Sequence, residues 1–367
     1  MLLSKTWDFF VETATAFFLP LVCAYYSLSS DLFFNAAYEE ATGLERIGNV
    51  LLVPSQYIFA GRSASRDAAG ELVFHPRFNY EQDFAIKSIA CSLSAIPSFI
   101  IGSAVKALSL LGEESRKHQK DMQLALYTKP PRHCPSQYLA LGIDLGQGEL
   151  EWSIPEGYTR KSGDENHLSV EKEALLDIAK VLNEAGIPWW ADCGTCLGAY
   201  RYGGVIPWDE DIDIAVLLPD FPDVLRALHQ LDPHKYIVQD WSSRSFPHSY
   251  LKVFIRKSKT LVDVYHFSID ASTRKISYIF SLEKALLFPE WWKIREKRFK
   301  VPVSFDDVFP LKKALFDGIE VYVPRQTKAY LQRCYGENLA PAKIFSPITG
   351  TYENDLSHPY WQRSYVH

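Results

Sequence analysis

Hydrophobic and polar positions follow three different rhythms along this chain. Over residues 1–112 the apolar positions come in long runs. Thr13 to Ser30 carries no charge and has Pro20 inside it. Ile89 to Leu111 carries one charge, Lys106, and has Pro97 inside it. Both approach the ~20 residues that cross a bilayer, and both also suit helices buried on several faces. Arg116, Lys117 and Lys120 follow the second run as basic flanks, with Glu113 and Glu114 between. Residues 113–137 are polar and broken by Pro130, Pro131 and Pro135, which predicts a linker over 113–150.

From about residue 165 the apolar positions recur at shorter, regular spacing. Leu175, Leu176, Ile178, Ala179 and Leu182 predict a helix over 168–185, with Ser169 as its N-cap and Gly186 as its stop. A strand is expected at Ile187–Asp192. A short helix should run from Cys196 to Tyr202 and close at Gly203-Gly204. Asp211–Leu218 reads as a strand and Leu225–Leu231 as a helix. Tyr250–Arg256 and Thr260–Phe267, joined by Lys257-Ser258-Lys259, predict a hairpin. The class is therefore α/β, a mixed sheet with flanking helices, preceded by a mainly helical N-terminal region. The expected divisions are 1–112, a linker over 113–150, a catalytic domain over 151–350 and a tail over 351–367.

Composition narrows the function. A net charge of −5 gives no basic face for nucleic acid. Six scattered cysteines do not make a disulfide scaffold, and free thiols point to a reducing, cytoplasmic compartment. Cys193 and Cys196 form a C-x-x-C without the second ligand pair that zinc needs. Lys5 is the only basic residue ahead of the first apolar run, so a cleaved leader is not expected.

The chemistry concentrates in CGTCLGAYRYGGVIPWDEDIDIA, residues 193–215. Residues i and i+2 of a strand share a face, so Asp211 and Asp213 project together. Paired carboxylates repel unless a cation lies between them, and oxygen ligands without His or Cys favour Mg²⁺ or Mn²⁺. Asp263 interrupts the apolar strand Leu261–Tyr265, where a lone carboxylate is costly. It is read as a third acid of the same site or as the partner of Lys252 or Arg256. Gly194-Thr195 opens a helix directly after a strand, a place where backbone N–H groups meet phosphate.

The run GTCLGAYRYGGVIPWDEDIDIAV resembles the signature of the LicD family, close to G-T-L-L-G-A-x-R-H-x-G-x-I-P-W-D-x-D-I-D. The likeness continues in LVDVYHF and in FDGIEVYVPRQTKAYLQRCYGENL, and so covers about 165–350. It departs from the pattern at Tyr202, Cys193 and Cys196. Many members carry Gly at the position of Cys193. The resemblance implies a nucleotidyltransferase-like fold. It also implies transfer of a phospho-alcohol, phosphocholine or ribitol phosphate, from a CDP-linked donor to a glycan hydroxyl. The acceptor would be lipopolysaccharide or another surface glycan. Asp211, Asp213 and Asp263 would hold metal. Gly194, Thr195, Arg201 and Lys252 would contact the donor phosphates. The resemblance does not extend to the first 150 residues; there the two apolar runs make a membrane surface a further expected partner through residues 1–112. Two other readings fit the acids: a GT-A-like metal-dependent glycosyltransferase, and a non-catalytic glycan-binding protein on the same fold.

Overall fold

The computed structural model describes residue 21 and residues 23–25, 43–59, 62–66, 72–76, 84–127, 135–145, 158–242, 246, 248–280 and 290–362. The chain forms two units, one of residues 1–127 with 284–287, the other of 128–283 with 288–367. Most of the apolar stretch Thr13–Ser30 lies outside the described residues.

The first unit contains α1 (Gly43–Phe59), a hairpin of β1 (Arg62–Arg66) and β2 (Leu72–Pro76), α2 (Phe84–Ser109) and α3 (Glu113–Tyr127). α3 lies within the stretch expected as linker. α1 and α2 run antiparallel in close contact. A Cβ on Gly48 would lie 3.0 Å from the Lys106 backbone nitrogen, and one on Gly102 2.8 Å from the Leu52 side chain. Glycine at both places is what permits that approach. α2 is long and apolar enough over Ala85–Ser109 to cross a membrane.

The second unit is mixed α/β. α4 (Pro135–Ala140) precedes α5 (Ser169–Glu184), which buries Leu175, Ile178, Ala179 and Leu182 of the predicted stripe together with Ala174, whereas Leu176 of that stripe is exposed. Its N-cap is Leu168 in the left-handed region, with Ser169 the first helical residue and no side-chain cap. β3 (Trp189–Ala191), α6 (Cys193–Tyr202), β4 (Ile212–Leu217), α7 (Phe221–Leu228), β5 (Tyr236–Asp240), β6 (Tyr250–Ile255) and β7 (Leu261–Asp270) follow, then β8 (Lys275–Tyr278), α8 (Glu290–Lys297), β9 (Val303–Ser304) and α9 (Phe305–Val308). The sheet runs β3-β4-β7-β6-β5, with β8 on β7 and β9 on β8. β4 and β7 are parallel, and the other pairs are antiparallel. Every residue of β4 is buried. Its Ile and Val side chains each contribute about 1.5–3 kcal/mol relative to exposure, enough to carry one carboxylate in the middle of the strand. A hairpin of β10 (Lys312–Phe316) and β11 (Ile319–Val323), then α10 (Thr327–Tyr335) and the β12–β13 hairpin (Lys343–Ser346, Thr351–Asn354), complete the unit.

Candidate active site

The sheet register assembles the site. Asp213 of β4 lies opposite Asp263 of β7, Asp263 opposite Lys252 of β6, and Lys252 opposite Gln239 of β5. One row of side chains on one sheet face is therefore Asp213, Asp263, Lys252, Gln239. Asp211 stands just ahead of β4, two residues from Asp213 and on its side. One carboxylate oxygen from each of Asp211, Asp213 and Asp263 lies within 4.8 Å of the others.

These acids are crowded and poorly hydrated. Burial pushes the Asp211 carboxyl up to about 6, with the Asp263 charge adding to the rise and Lys252 opposing it. Burial, then Asp211 and Asp263, hold Asp213 well above the usual carboxylate range. Asp213 Oδ1 is buried with no hydrogen-bond partner among the described residues. Asp209 is raised to about 7, first by burial and then by the Asp211 charge. Burial also raises Glu296 of α8, with Asp263 adding to it. An all-oxygen donor set with repelling charges and an orphaned buried oxygen fits a hard divalent cation.

Around Asp263 the contacts are specific. The Tyr250 hydroxyl donates to Asp263 Oδ1 at 2.7 Å, and Lys252 Nζ lies 3.5 Å from the same oxygen. Lys252 Nζ also lies 4.5 Å from the centre of the Trp241 ring. Tyr250 and Tyr265 stack with ring planes 2° apart and centres 5.1 Å apart. Neither tyrosine carried a sequence signal beyond its place on a strand.

The Gly-Thr turn stands beside β4 as expected, with different bonding. The Thr195 hydroxyl oxygen accepts the Asp213 N–H at 2.9 Å, and Thr195 is buried. It fastens α6 to the acidic strand. The helix begins at Cys193, earlier than expected, and Cys193 has φ 45°, in the left-handed region. The departure from glycine at this position therefore falls where the backbone favours glycine. A Cβ on Gly194 would lie 2.2 Å from Asp209 Oδ2, so the missing side chain is the seat of that carboxylate. Asp192 does not cap the helix. Its Oδ1 accepts the Tyr330 hydroxyl at 2.7 Å.

Arg201, expected at phosphate, is buried among the C-terminal residues. It donates from Nε to the Leu339 carbonyl at 2.6 Å and from Nη2 to the Ala340 carbonyl at 2.7 Å. That geometry gives it a structural task, because its fork closes on backbone oxygens. Trp208 packs against the core and meets Tyr352 with ring centres 4.9 Å apart. Glu210 is exposed. The far end of α6 is held by Asp317. This carboxylate accepts from Arg160 Nη2 at 2.5 Å, Lys172 Nζ at 2.9 Å and the Val205 N–H at 3.0 Å. In the sequence Asp317 is marked only by its place in a glycine turn.

Comparison with known proteins bears on the segment that contains these acids. Residues 186–326 match a family model described as LicD/FKTN/FKRP, nucleotidyltransferase domain. An uncharacterized protein of Rickettsia prowazekii is 29% identical over 178 residues, 48% of this chain and 57% of its own. Mouse ribitol-5-phosphate transferase FKTN is 28% identical over 182 residues, 45% of this chain and 32% of the relative. Human ribitol 5-phosphate transferase FKRP is 41% identical over 49 residues, 13% of this chain and 10% of the relative. The chain spans less than two thirds of the length of these relatives.

Proposed function

The chain belongs to the LicD family through residues 186–326, and on that premise we propose that it transfers a phospho-alcohol from a CDP-linked donor to a glycan hydroxyl. Ribitol phosphate and phosphocholine are the candidate groups. The observation that carries this reading is the convergence of Asp211, Asp213 and Asp263 within 4.8 Å, beside a Gly-Thr helix start. Those three carboxylates would hold Mg²⁺ or Mn²⁺. Such an ion, when bound, neutralises a diphosphate and orients it for in-line displacement.

The chain's own groups supply the remaining steps. Lys252, on the same row as the acids, offers its ammonium to a phosphate oxygen. Gly194, whose side-chain space holds the Asp209 carboxylate, would meet a donor phosphate through its backbone N–H at the first turn of α6. The Tyr250 hydroxyl fixes the Asp263 carboxylate, which takes the proton of the acceptor hydroxyl as its oxygen bonds to phosphorus. The bond from phosphorus to the CMP phosphate oxygen breaks, and CMP leaves. Cys91, Cys193, Cys196 and Cys334 are free thiols, which supports a reducing, cytoplasmic setting.

The test is a donor screen with the full chain: CDP-ribitol, CDP-choline and UDP-sugars, each with Mg²⁺, Mn²⁺ or chelator, scored by nucleotide release. CMP release from a CDP-alcohol that stops with chelator is the expected result. Turnover of a UDP-sugar alone, or release indifferent to chelator, would overturn the proposal.

A further inference from the structure

The α1–α2 hairpin has its polarity reversed relative to a water-soluble helix pair. Thirteen positions of α2 are exposed: Ala85, Ile86, Ile89, Ser92, Leu93, Ile96, Pro97, Phe99, Ile100, Ile101, Ala104, Ala107 and Leu108. Twelve are apolar, and they surround the helix on every side except the one facing α1. A helix lying flat at a water interface keeps a polar face. α2 has none between Lys87 and Lys106.

The polar groups are instead turned inward or satisfied within the helix. Glu45, Asn49 and Ser55 of α1 are buried, as is Ser109 of α2. Lys106 Nζ donates to Asn49 Oδ1 at 2.6 Å, and Glu45 Oε2 lies 3.1 Å from His118 Nδ1. The one exposed hydroxyl, on Ser92, donates to the Ser88 carbonyl at 2.7 Å, and Ser94 and Ser98 donate to the Ala90 and Ala95 carbonyls. In water such hydroxyls have no need of an internal acceptor, whereas in hydrocarbon there is no other acceptor available. The two helices meet through Gly48 and Gly102, and small residues at the seam are how helices associate in lipid. The charge-free stretch 88–105 rises about 27 Å, close to the ~30 Å hydrocarbon core, and is bounded by Lys87 and Lys106.

We propose that α2 passes through the hydrocarbon of a bilayer with α1 packed against it, so that lipid covers the apolar surface of the hairpin. The inference is independent of the transfer reaction, and its test reads no chemistry. The full chain is reconstituted into phosphatidylcholine–phosphatidylglycerol vesicles carrying an apolar photoactivatable diazirine, and labelled peptides are mapped by mass spectrometry. Label should fall on residues 86–108 and spare residues 158–362, and the chain should remain with the vesicles after an alkaline carbonate wash. Ile96→Lys, placed at the middle of the charge-free stretch, should lower vesicle partition about a hundredfold, the penalty that insertion assigns to a central lysine. Ile344→Lys, at another exposed isoleucine, should leave partition unchanged. Absence of label on 86–108 would overturn the proposal. So would a full chain that stays soluble without detergent as a monomer, or as a dimer whose second copy covers this surface.

Discussion

Neutralising Asp213 should stabilise the metal-free protein and destroy the site's response to metal. The oxygens of Asp211, Asp213 and Asp263 lie within 4.8 Å of one another. At that separation and an effective dielectric of about 20, each like-charged pair costs about 3 kcal/mol. Lys252 offsets part of the repulsion through Asp263, so one such pair sets the net gain. Asp213→Asn keeps the side-chain shape and removes the charge. In chelator at pH 8 it should raise stability by about 3 kcal/mol, or about 6–12 °C in melting temperature for a domain of this size. The pH dependence has a definite sign. An acid whose folded pKa lies above its unfolded value binds its proton more tightly when folded. The stabilisation that a protonated Asp211 gives the wild type is therefore fully present below pH 4 and is lost as pH rises through about 6, where Asp211 ionises. The variant should show a shallower fall. Mn²⁺ at a hundred times its Kd adds about 2.7 kcal/mol to the wild type alone and nearly closes its gap to the variant; at a thousand times its Kd it adds about 4.1 kcal/mol and the ranking reverses. Thermal melts with and without Mn²⁺, beside CMP release, make the measurement. Glu210→Gln, at an exposed position, should match the wild type throughout. An Asp213→Asn protein that melts early in chelator, or gains as much from Mn²⁺ as the wild type, would rule out a metal site at these carboxylates.

Three further outcomes follow from contacts at α6. Gly194→Ala should cost about 1–3 kcal/mol because its methyl group takes the space of Asp209 Oδ2; adding Asp209→Ala should recover most of that loss, a coupling seen in a double-mutant melt and absent if the two sites are independent. Arg201→Lys should lower stability by about 1–3 kcal/mol by breaking the paired contact with the Leu339 and Ala340 carbonyls; donor KM should not move, and a raised KM with unchanged melting would return Arg201 to phosphate binding. Cys193→Gly should raise the melting temperature, since the left-handed backbone costs a cysteine about 1 kcal/mol, and an unchanged or lower melting temperature would count against strain at that turn.

The acidic site was legible in the sequence because burying a carboxylate is expensive, and an acid in an otherwise apolar strand needs a reason. Asp213 and Asp263 each interrupt such a strand, and the structure places them opposite each other. What sequence could not supply was the parallel pairing of β4 with β7, which joins residues fifty positions apart. The hairpin of β6 and β7 was local, marked by its polar turn, and it was legible. Hydrogen-bond direction was not. Thr195 looked like a phosphate donor, and its hydroxyl oxygen in addition accepts the amide of Asp213. Arg201 looked like a phosphate ligand, because the carbonyls it meets stand 138 and 139 residues further on. Ser169 had the chemistry of an N-cap, but the chain enters α5 through a left-handed Leu168 instead. The N-terminal hairpin shows the same limit in reverse. Its apolar runs were visible, with Lys106 as an interruption. Only the pairing of Lys106 with Asn49, 57 residues away, shows the charge facing the partner helix while isoleucines face outward. Pattern reports which residues are apolar along a helix. Which side they occupy is decided by the neighbour that takes the polar ones, and that neighbour is fixed by tertiary contact.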